Sequence, residues 1–170
     1  FGVESGSDRI LSILKKGETR EKIELAIQQA CELGFWVELF FLIGSPGETW
    51  ADIEESINLA LKYPIYNANF YNLIPFHHSE LYQWIEERNY FLFPQPEYLN
   101  NVMHHVNEPI FTTPELTLSE RKKAFTYAKN IINKHTQTRR LRFERWLTKE
   151  KLRDYYNKKG FLADVIAWLY

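Results

Sequence analysis

The sequence is poor in cysteine, since its 170 residues include one, Cys31. A single thiol excludes a disulfide framework and any cysteine-rich metal site within this chain. Cys31 lies beside Ala30 in a helical pattern, which favours a structural thiol that packs in the core. Reactive chemistry in this chain must therefore come from other residue types.

Long apolar runs are also missing, as is a basic-then-apolar leader. A membrane span needs about 20 consecutive apolar residues, so the pattern predicts a soluble, cytoplasmic protein that makes no membrane contact. The chain opens with Phe1 instead of methionine and enters a strand pattern at once. We therefore expect it to be a piece of a longer protein.

The common nucleotide and hydrolase motifs are absent too. No G-x-G-x-x-G follows a strand, and "GSPGE" (44–48) lacks the lysine and the spacing of a phosphate-binding loop. The sequence contains neither H-E-x-x-H nor G-x-S-x-G. These absences argue against a zinc hydrolase and against a free-standing catalytic triad.

Charge is distributed unevenly although the net charge is -1. Residues 120–160 hold fourteen lysines and arginines against four acids, whereas the rest of the chain holds seven basic and eighteen acidic residues. Aromatic residues interleave with the basic ones, which is typical of a helical module that binds RNA or a partner protein. An ordinary solvated helix face, with the acidic part as its counterpart, explains the same pattern. Both interpretations stay open.

Strand and helix patterns alternate over the first 75 residues. Strands are predicted at 1–4, 35–43 and 66–74, and helices at 8–16, 19–33 and 49–62. Consecutive βα units of this length need right-handed crossovers, so the pattern predicts an α/β fold with a parallel sheet. Three strands do not close a barrel, and the first strand would be an exposed edge that favours self-association.

The remaining sequence is predicted to be mostly helical. Ser79 begins a helix, residues 90–116 form an irregular connection, and a capping box of Thr117 and Glu120 begins a helix that reaches about Trp146. Thr148 caps a further helix, and the apolar "FLADVIAWLY" (161–170) must dock or form a contact surface.

Polar loops follow each predicted strand, namely "ESGS" (4–7), "GSPGE" (44–48) and "PFHHS" (75–79). Ligands of parallel α/β folds bind beyond the carboxyl ends of the strands, so these loops mark a candidate site. We interpret His77 and His78 as ordinary loop residues instead of metal ligands or acid–base groups, because adjacent side chains point in different directions. Glu38 shares a face with Phe40 and Leu42, which favours a buried polar network over catalysis.

Three longer stretches carry a family resemblance: "GVESGSDRILSILKKG", "LFFLIGSPGETWADIEESINLA" and "NFYNLIPFHHSELY". In this order and spacing they resemble the second half of the catalytic domain of radical S-adenosylmethionine (SAM) enzymes. The likeness is greatest to the group with a cobalamin-binding domain, which includes the magnesium-protoporphyrin monomethyl ester cyclases, and tRNA methylthiotransferases are similar. The resemblance implies the last part of a partial (β/α) TIM-type barrel over 1–82, an irregular connection over 83–116 and a helical extension over 117–170.

The resemblance also implies a set of cofactor-binding residues. Glu4, with Ser5 and Ser7, would contact the hydroxyls or the amino acid portion of SAM, and Lys16 or its neighbour Lys15 would pair with its carboxylate. Leu42 would pack on the adenine. The implied set is Glu4, Ser5, Ser7, Lys16, Leu42 and Gly44, with no catalytic residue and no metal ligand.

Two departures from the family pattern limit what the chain does alone. His77, His78 and Ser79 stand where the family usually has Pro-Gly-Thr, and the Cys-x-x-x-Cys-x-x-Cys motif for the [4Fe–4S] cluster is absent. The implied function is therefore a fragment of a radical SAM enzyme that helps bind SAM and is inactive alone. The intact enzyme would use SAM, a [4Fe–4S] cluster, an electron donor and, through an upstream domain, cobalamin.

Overall fold

The computed structural model describes residues 1–94 and 108–146, with side chains up to residue 137. Compact units cover Phe1–His135 and Thr136–Tyr170, and most of the second lies outside the described residues. The helix predicted after Thr148 and the apolar tail at 161–170 also lie outside them. Among the described residues, every helix is too short or too polar to cross a bilayer.

Three parallel strands in the order β1-β2-β3 form the sheet, and helices connect them. This arrangement confirms the predicted α/β fold of parallel βα units, and the three strands do not close into a barrel. The elements are β1 (Gly2–Glu4), α1 (Asp8–Ile13), α2 (Arg20–Glu32), β2 (Glu38–Ile43), α3 (Trp50–Lys62), β3 (Asn67–Asn72), α4 (Glu80–Glu87) and α5 (Leu118–Trp146).

Side-chain caps begin the helices where the sequence places them. The Thr19 hydroxyl accepts from the backbone N–H of Lys22 at the start of α2, and Thr49 forms a reciprocal capping box with Asp52 at the start of α3. At the start of α5, the backbone N–H of Glu120 donates to the Thr117 hydroxyl at 3.3 Å. These bonds satisfy amides that a helix leaves unpaired in its first turn.

Two element ends differ by three residues from the sequence prediction, and the others by two or fewer. Strand β2 begins at Glu38 instead of residue 35, because Phe35 and Trp36 are exposed and Trp36 stacks on Tyr66 at 5.9 Å outside the sheet. Helix α1 ends at Ile13, and Lys15 then adopts a left-handed φ of 54°. A left-handed residue cannot continue a right-handed helix.

Alternation along β2 separates two faces of the sheet. Leu39, Phe41 and Ile43 are fully buried, and Phe41 stacks on Phe70 of β3 with ring centroids 4.8 Å apart. The same core includes buried residues of α2, α3 and α5. The opposite, half-buried face, here called the open face, carries Glu4, Glu38, Phe40, Leu42, Asn67, Asn69 and Tyr71.

A polar network on the open face occupies Glu38. Its Oε1 accepts a hydrogen bond from Asn67 Nδ2 at 3.0 Å and another from Asn69 Nδ2 at 2.7 Å. A half-buried carboxylate with two amide donors is satisfied without a ligand. The structure thus gives Glu38 the polar network that the sequence favours.

Candidate functional site

Glu4 ends β1 in an uncommon backbone conformation. Its φ is 67°, and the register between β1 and β2 shifts between Gly2 and Glu4. A non-glycine residue in the left-handed region costs about 1–3 kcal/mol and persists where the surroundings hold it. The bend lets the Glu4 side chain fold back over Gly2.

An ion pair joins two of the residues in the predicted set. Lys16 Nζ lies 3.2 Å from Glu4 Oε1, and both side chains are about a quarter exposed. A Cβ on Gly2 would lie 2.8 Å from Glu4 Oε1 and 3.7 Å from Lys16 Nζ, so glycine at this position leaves room for the carboxylate. Lys15, the other candidate in the sequence, pairs with Glu80 at the surface instead.

Ser5 and Ser7 are buried, and their hydroxyls point toward α3. Ser5 Oγ accepts from the Ser7 backbone N–H at 3.1 Å and lies 3.4 Å from Ser56 Oγ. The Gly6 N–H donates to Ser56 Oγ at 2.8 Å, and Ser7 Oγ donates to Asp52 Oδ1 at 2.8 Å. These bonds fix the loop after β1 onto the start of α3.

Asp52 collects more hydrogen bonds than its capping role predicts. It accepts from the Thr49 N–H at 2.9 Å, from the Thr49 hydroxyl at 2.7 Å, from Ser7 and from Arg9. Arg9 also donates to the carbonyl oxygen of Gly47 at 2.9 Å. Burial alone would raise the pKa of Asp52, but these donors together lower it. Two loops and a helix start are thereby held as one unit.

The turn after β2 is organised by a second buried carboxylate. Gly44 has a φ of 105°, and the N–H groups of Gly44 and Ser45 both donate to Glu48 Oε2. Glu48 is 1% exposed, and burial raises its pKa to about 7 against the lowering effect of these two bonds and of Arg121. Because Glu48 faces its own turn, it orients that turn.

Arg121 of α5 is fully buried against the same turn. Its Nη1 donates to the carbonyl oxygen of Phe111 at 2.8 Å, and its guanidinium lies 4.7 Å from the Phe111 ring centroid. A Cβ on Gly44 would lie 2.5 Å from Nη1, so a larger residue at position 44 would force the guanidinium to shift. Burial lowers the pKa of Arg121 to about 10, which leaves it charged at neutral pH.

Sequence reasoning missed Arg121, although a signal for it exists. Arg121 precedes Ala124, Ala128 and Ile132 at helical spacing, and these three residues are buried. A cation on the apolar stripe of an amphipathic helix marks a buried charge.

Leu42 and Gly44 differ in what they offer to a ligand. Leu42 is half-buried on the open face beside Tyr71, and Tyr71 stacks on Phe40 with centroids 6.2 Å apart. Leu42 and Glu4 therefore share a face. The N–H of Gly44 is already bonded to Glu48, so its contribution is the shape of the turn.

The third loop and the cysteine supply no metal centre among the described residues. His77 and His78 are exposed, and their rings meet edge to face at 4.0 Å. Within residues 1–94 and 108–137, no three His, Cys, Asp or Glu side chains converge to hold an ion. Cys31 is half-buried and packs against the core. Because the sequence holds one cysteine, its residues do not fit a [4Fe–4S] cluster, which several cysteine thiolates hold.

Comparison with known proteins finds sequence similarity in the first part of this chain. Residues 1–60 match the model of the radical SAM superfamily. The chain is 34% identical over 92 residues to an uncharacterized methyltransferase of Pyrococcus horikoshii, which covers 54% of this chain and 20% of that protein. It is 42% identical over 59 residues to the tRNA-2-methylthio-N(6)-dimethylallyladenosine synthase of Hahella chejuensis, covering 34% and 13%.

A putative methylthiotransferase of Methanocaldococcus jannaschii is 46% identical over 52 residues, covering 31% of this chain and 12% of that protein. The chain thus spans a fifth or less of the length of these relatives. The family match includes β1, β2 and both loops that Asp52 joins. The similarity to the radical SAM superfamily therefore lies in residues 1–60 of this chain.

Proposed function

We propose that this chain contributes part of the SAM-binding site of a radical SAM enzyme, with Glu4 and Lys16 as its charged contacts. The observation that carries the proposal is their ion pair at the carboxyl end of β1, where Gly2 leaves room for the carboxylate. In such an enzyme, a reduced iron–sulfur cluster would give one electron to bound SAM, which would release methionine and supply a 5'-deoxyadenosyl radical that abstracts hydrogen from a substrate.

The two charged groups match neighbouring parts of SAM. A carboxylate accepts hydrogen bonds from a ribose diol, as acidic residues do in dinucleotide sites. The Lys16 ammonium pairs with the carboxylate of the methionine portion. Each group is partly exposed, so a ligand reaches it without unfolding the loop.

The other predicted residues act through shape. Leu42 offers an apolar surface to the adenine from the open face, and Gly44 allows the turn beyond it. Ser5 and Ser7 serve the site by holding the loop that carries Glu4. The Ser5 hydroxyl accepts from the Ser7 N–H, and the Ser7 hydroxyl donates to Asp52 of α3.

We also propose a reaction type. Two of the relatives are named as an uncharacterized methyltransferase and a putative methylthiotransferase, and this similarity supports transfer of a carbon or sulfur group to a substrate. Cobalamin and the cyclase-like grouping stay predictions from the sequence resemblance. We also propose that the chain alone does not cleave SAM, because its sequence holds one cysteine. An RNA- or protein-binding role for residues 120–160 stays the alternative.

The test uses the intact gene product that contains this chain, reconstituted anaerobically with iron and sulfide. We expect Glu4→Gln and Lys16→Met each to raise the Kd for SAM about tenfold, because each removes one charge-assisted hydrogen bond. Equilibrium dialysis with labelled SAM measures this change, and 5'-deoxyadenosine release follows it.

Lys15→Met is the matched control, since it removes a neighbouring lysine whose partner is Glu80 at the surface. It should leave the Kd within about twofold of wild type. Gly2→Ala keeps both charges but displaces the carboxylate, so it should weaken binding without removing either group. Equal losses from Lys15→Met and Lys16→Met, or none from Glu4→Gln, would contradict the proposal.

A further inference from the structure

Arg121 is a buried charge with few partners. Nη1 donates to Phe111, whereas Nε and Nη2 have no acceptor among the described residues, and Glu48 Oε1 has no donor there. Burying a guanidinium with two donors unpaired is costly, and Arg121 is the one charged residue among the buried positions described for this helix. Local rules of this kind are broken chiefly at functional sites.

The surroundings of Arg121 show what that charge touches. Its guanidinium packs on Gly44, the first residue of the turn after β2, and its charge acts on Glu48, which holds the Gly44 and Ser45 amides. Leu42 lies two residues before Gly44 on β2. A helix remote in sequence thus contacts the turn next to a proposed SAM contact.

We propose that Arg121 is a positioning residue that holds the Gly44–Glu48 turn in the conformation that binds SAM. This inference rests on the proposed function. Its flat guanidinium blocks the space above Gly44, and its positive charge favours the ionised Glu48 that accepts both amides. Arg121 makes no contact with SAM in this scheme. It acts through the turn, and so links α5 to the site.

The test compares three variants of the reconstituted intact gene product. Arg121→Met keeps an unbranched, flexible side chain and removes the guanidinium with its charge and its donors, whereas Arg121→Lys keeps the charge and N–H donors without the planar guanidinium. Ile132→Ala is the control, because Ile132 lies on the same buried stripe of α5 and its truncation destabilises the core without reaching Gly44.

We expect Arg121→Met to raise the KM for SAM about tenfold in 5'-deoxyadenosine release while kcat at saturating SAM stays within about twofold. Arg121→Lys should recover part of the loss. Hydrogen exchange at residues 44–48 should accelerate in Arg121→Met, and Ile132→Ala should change neither the KM nor that exchange despite a lower Tm.

Each outcome decides a different question. An unchanged KM in Arg121→Met, or an equal rise in Ile132→Ala, would overturn the positioning role while SAM binding by the wild type upholds the proposed function. A wild type that binds no SAM would overturn the proposed function, and this inference with it.

Discussion

Replacing Gly6 by alanine is expected to lower the free energy of unfolding by about 3 kcal/mol, at the upper end of what overpacking costs. A Cβ at this position would lie 2.6 Å from the carbonyl oxygen of Glu55 and 2.7 Å from Cα of Ser56. Both atoms belong to the backbone of α3, which cannot rotate aside as a side chain can. The added methyl group must therefore push the loop after β1 away from the helix.

The control for this variant is Gly34→Ala, because Gly34 is strained in its backbone but not crowded, and Gly6 is crowded but not strained. Gly34 has a φ of 80° with no atom within 4 Å of a Cβ, whereas Gly6 lacks a left-handed φ and is crowded. Gly34→Ala should cost about 1 kcal/mol through backbone strain alone. Hydrogen exchange of the α3 amides in the intact gene product measures both variants. A larger loss from Gly34→Ala would show that contact with α3 does not set the requirement for Gly6.

Between about pH 4.5 and 7, the free energy of unfolding of Glu48→Gln should rise by about 3 kcal/mol relative to that of the wild type. Burial raises the pKa of Glu48 from 4.5 to about 7, so the folded protein holds a proton that the unfolded chain releases. The wild type therefore loses stability as the pH rises from about 4.5 through 7. Glutamine does not titrate, so the variant becomes more stable relative to the wild type over that window. The proton belongs on Oε1, because Oε2 accepts the two amides.

Denaturant unfolding of both proteins between pH 4.5 and 8 measures this difference, since shared titrations cancel. The charged groups that act on Glu48 are Arg121, which lowers its pKa, and Asp52, which raises it. Asp52→Asn should show the opposite pH trend. The pKa of Asp52 is lowered in the folded protein, so the stability that its ionised form contributes to the wild type is lost as the pH falls. A constant difference between Glu48→Gln and the wild type across this window would refute the buried, proton-holding carboxylate.

Local signals in the sequence predict most of the fold. Capping boxes join residues three apart, so Thr49–Asp52 and Thr117–Glu120 are readable without a structure. The buried strand pattern likewise places Leu39, Phe41 and Ile43 on one face. Aromatic residues mislead at Phe35 and Trp36, because strand propensity does not distinguish a paired residue from an exposed stacked one.

The candidate site is less readable because its contacts join distant residues. The sequence offers Lys15 and Lys16 equally, and the left-handed turn at Lys15 decides which of them reaches Glu4. Ser5 and Ser7 contact Ser56 and Asp52 of α3, which lie far along the chain, so the sequence does not indicate these contacts. The helix pattern marks Arg121 as buried, but the turn sequence "GSPGE" does not indicate that a cation from α5 packs against it.

The Glu38 network acts as a marker of strand register. Its two amide donors, Asn67 and Asn69, stand two residues apart on one face of β3, with Glu38 directly opposite Asn67. Sliding β3 by one residue would turn both amides into the apolar core, and sliding it by two would leave one donor for the carboxylate. Parallel strands pair only after a long loop has closed, so wrong alignments compete during folding. A polar clamp of one acid and two amides penalises those alignments, which apolar contacts alone would tolerate.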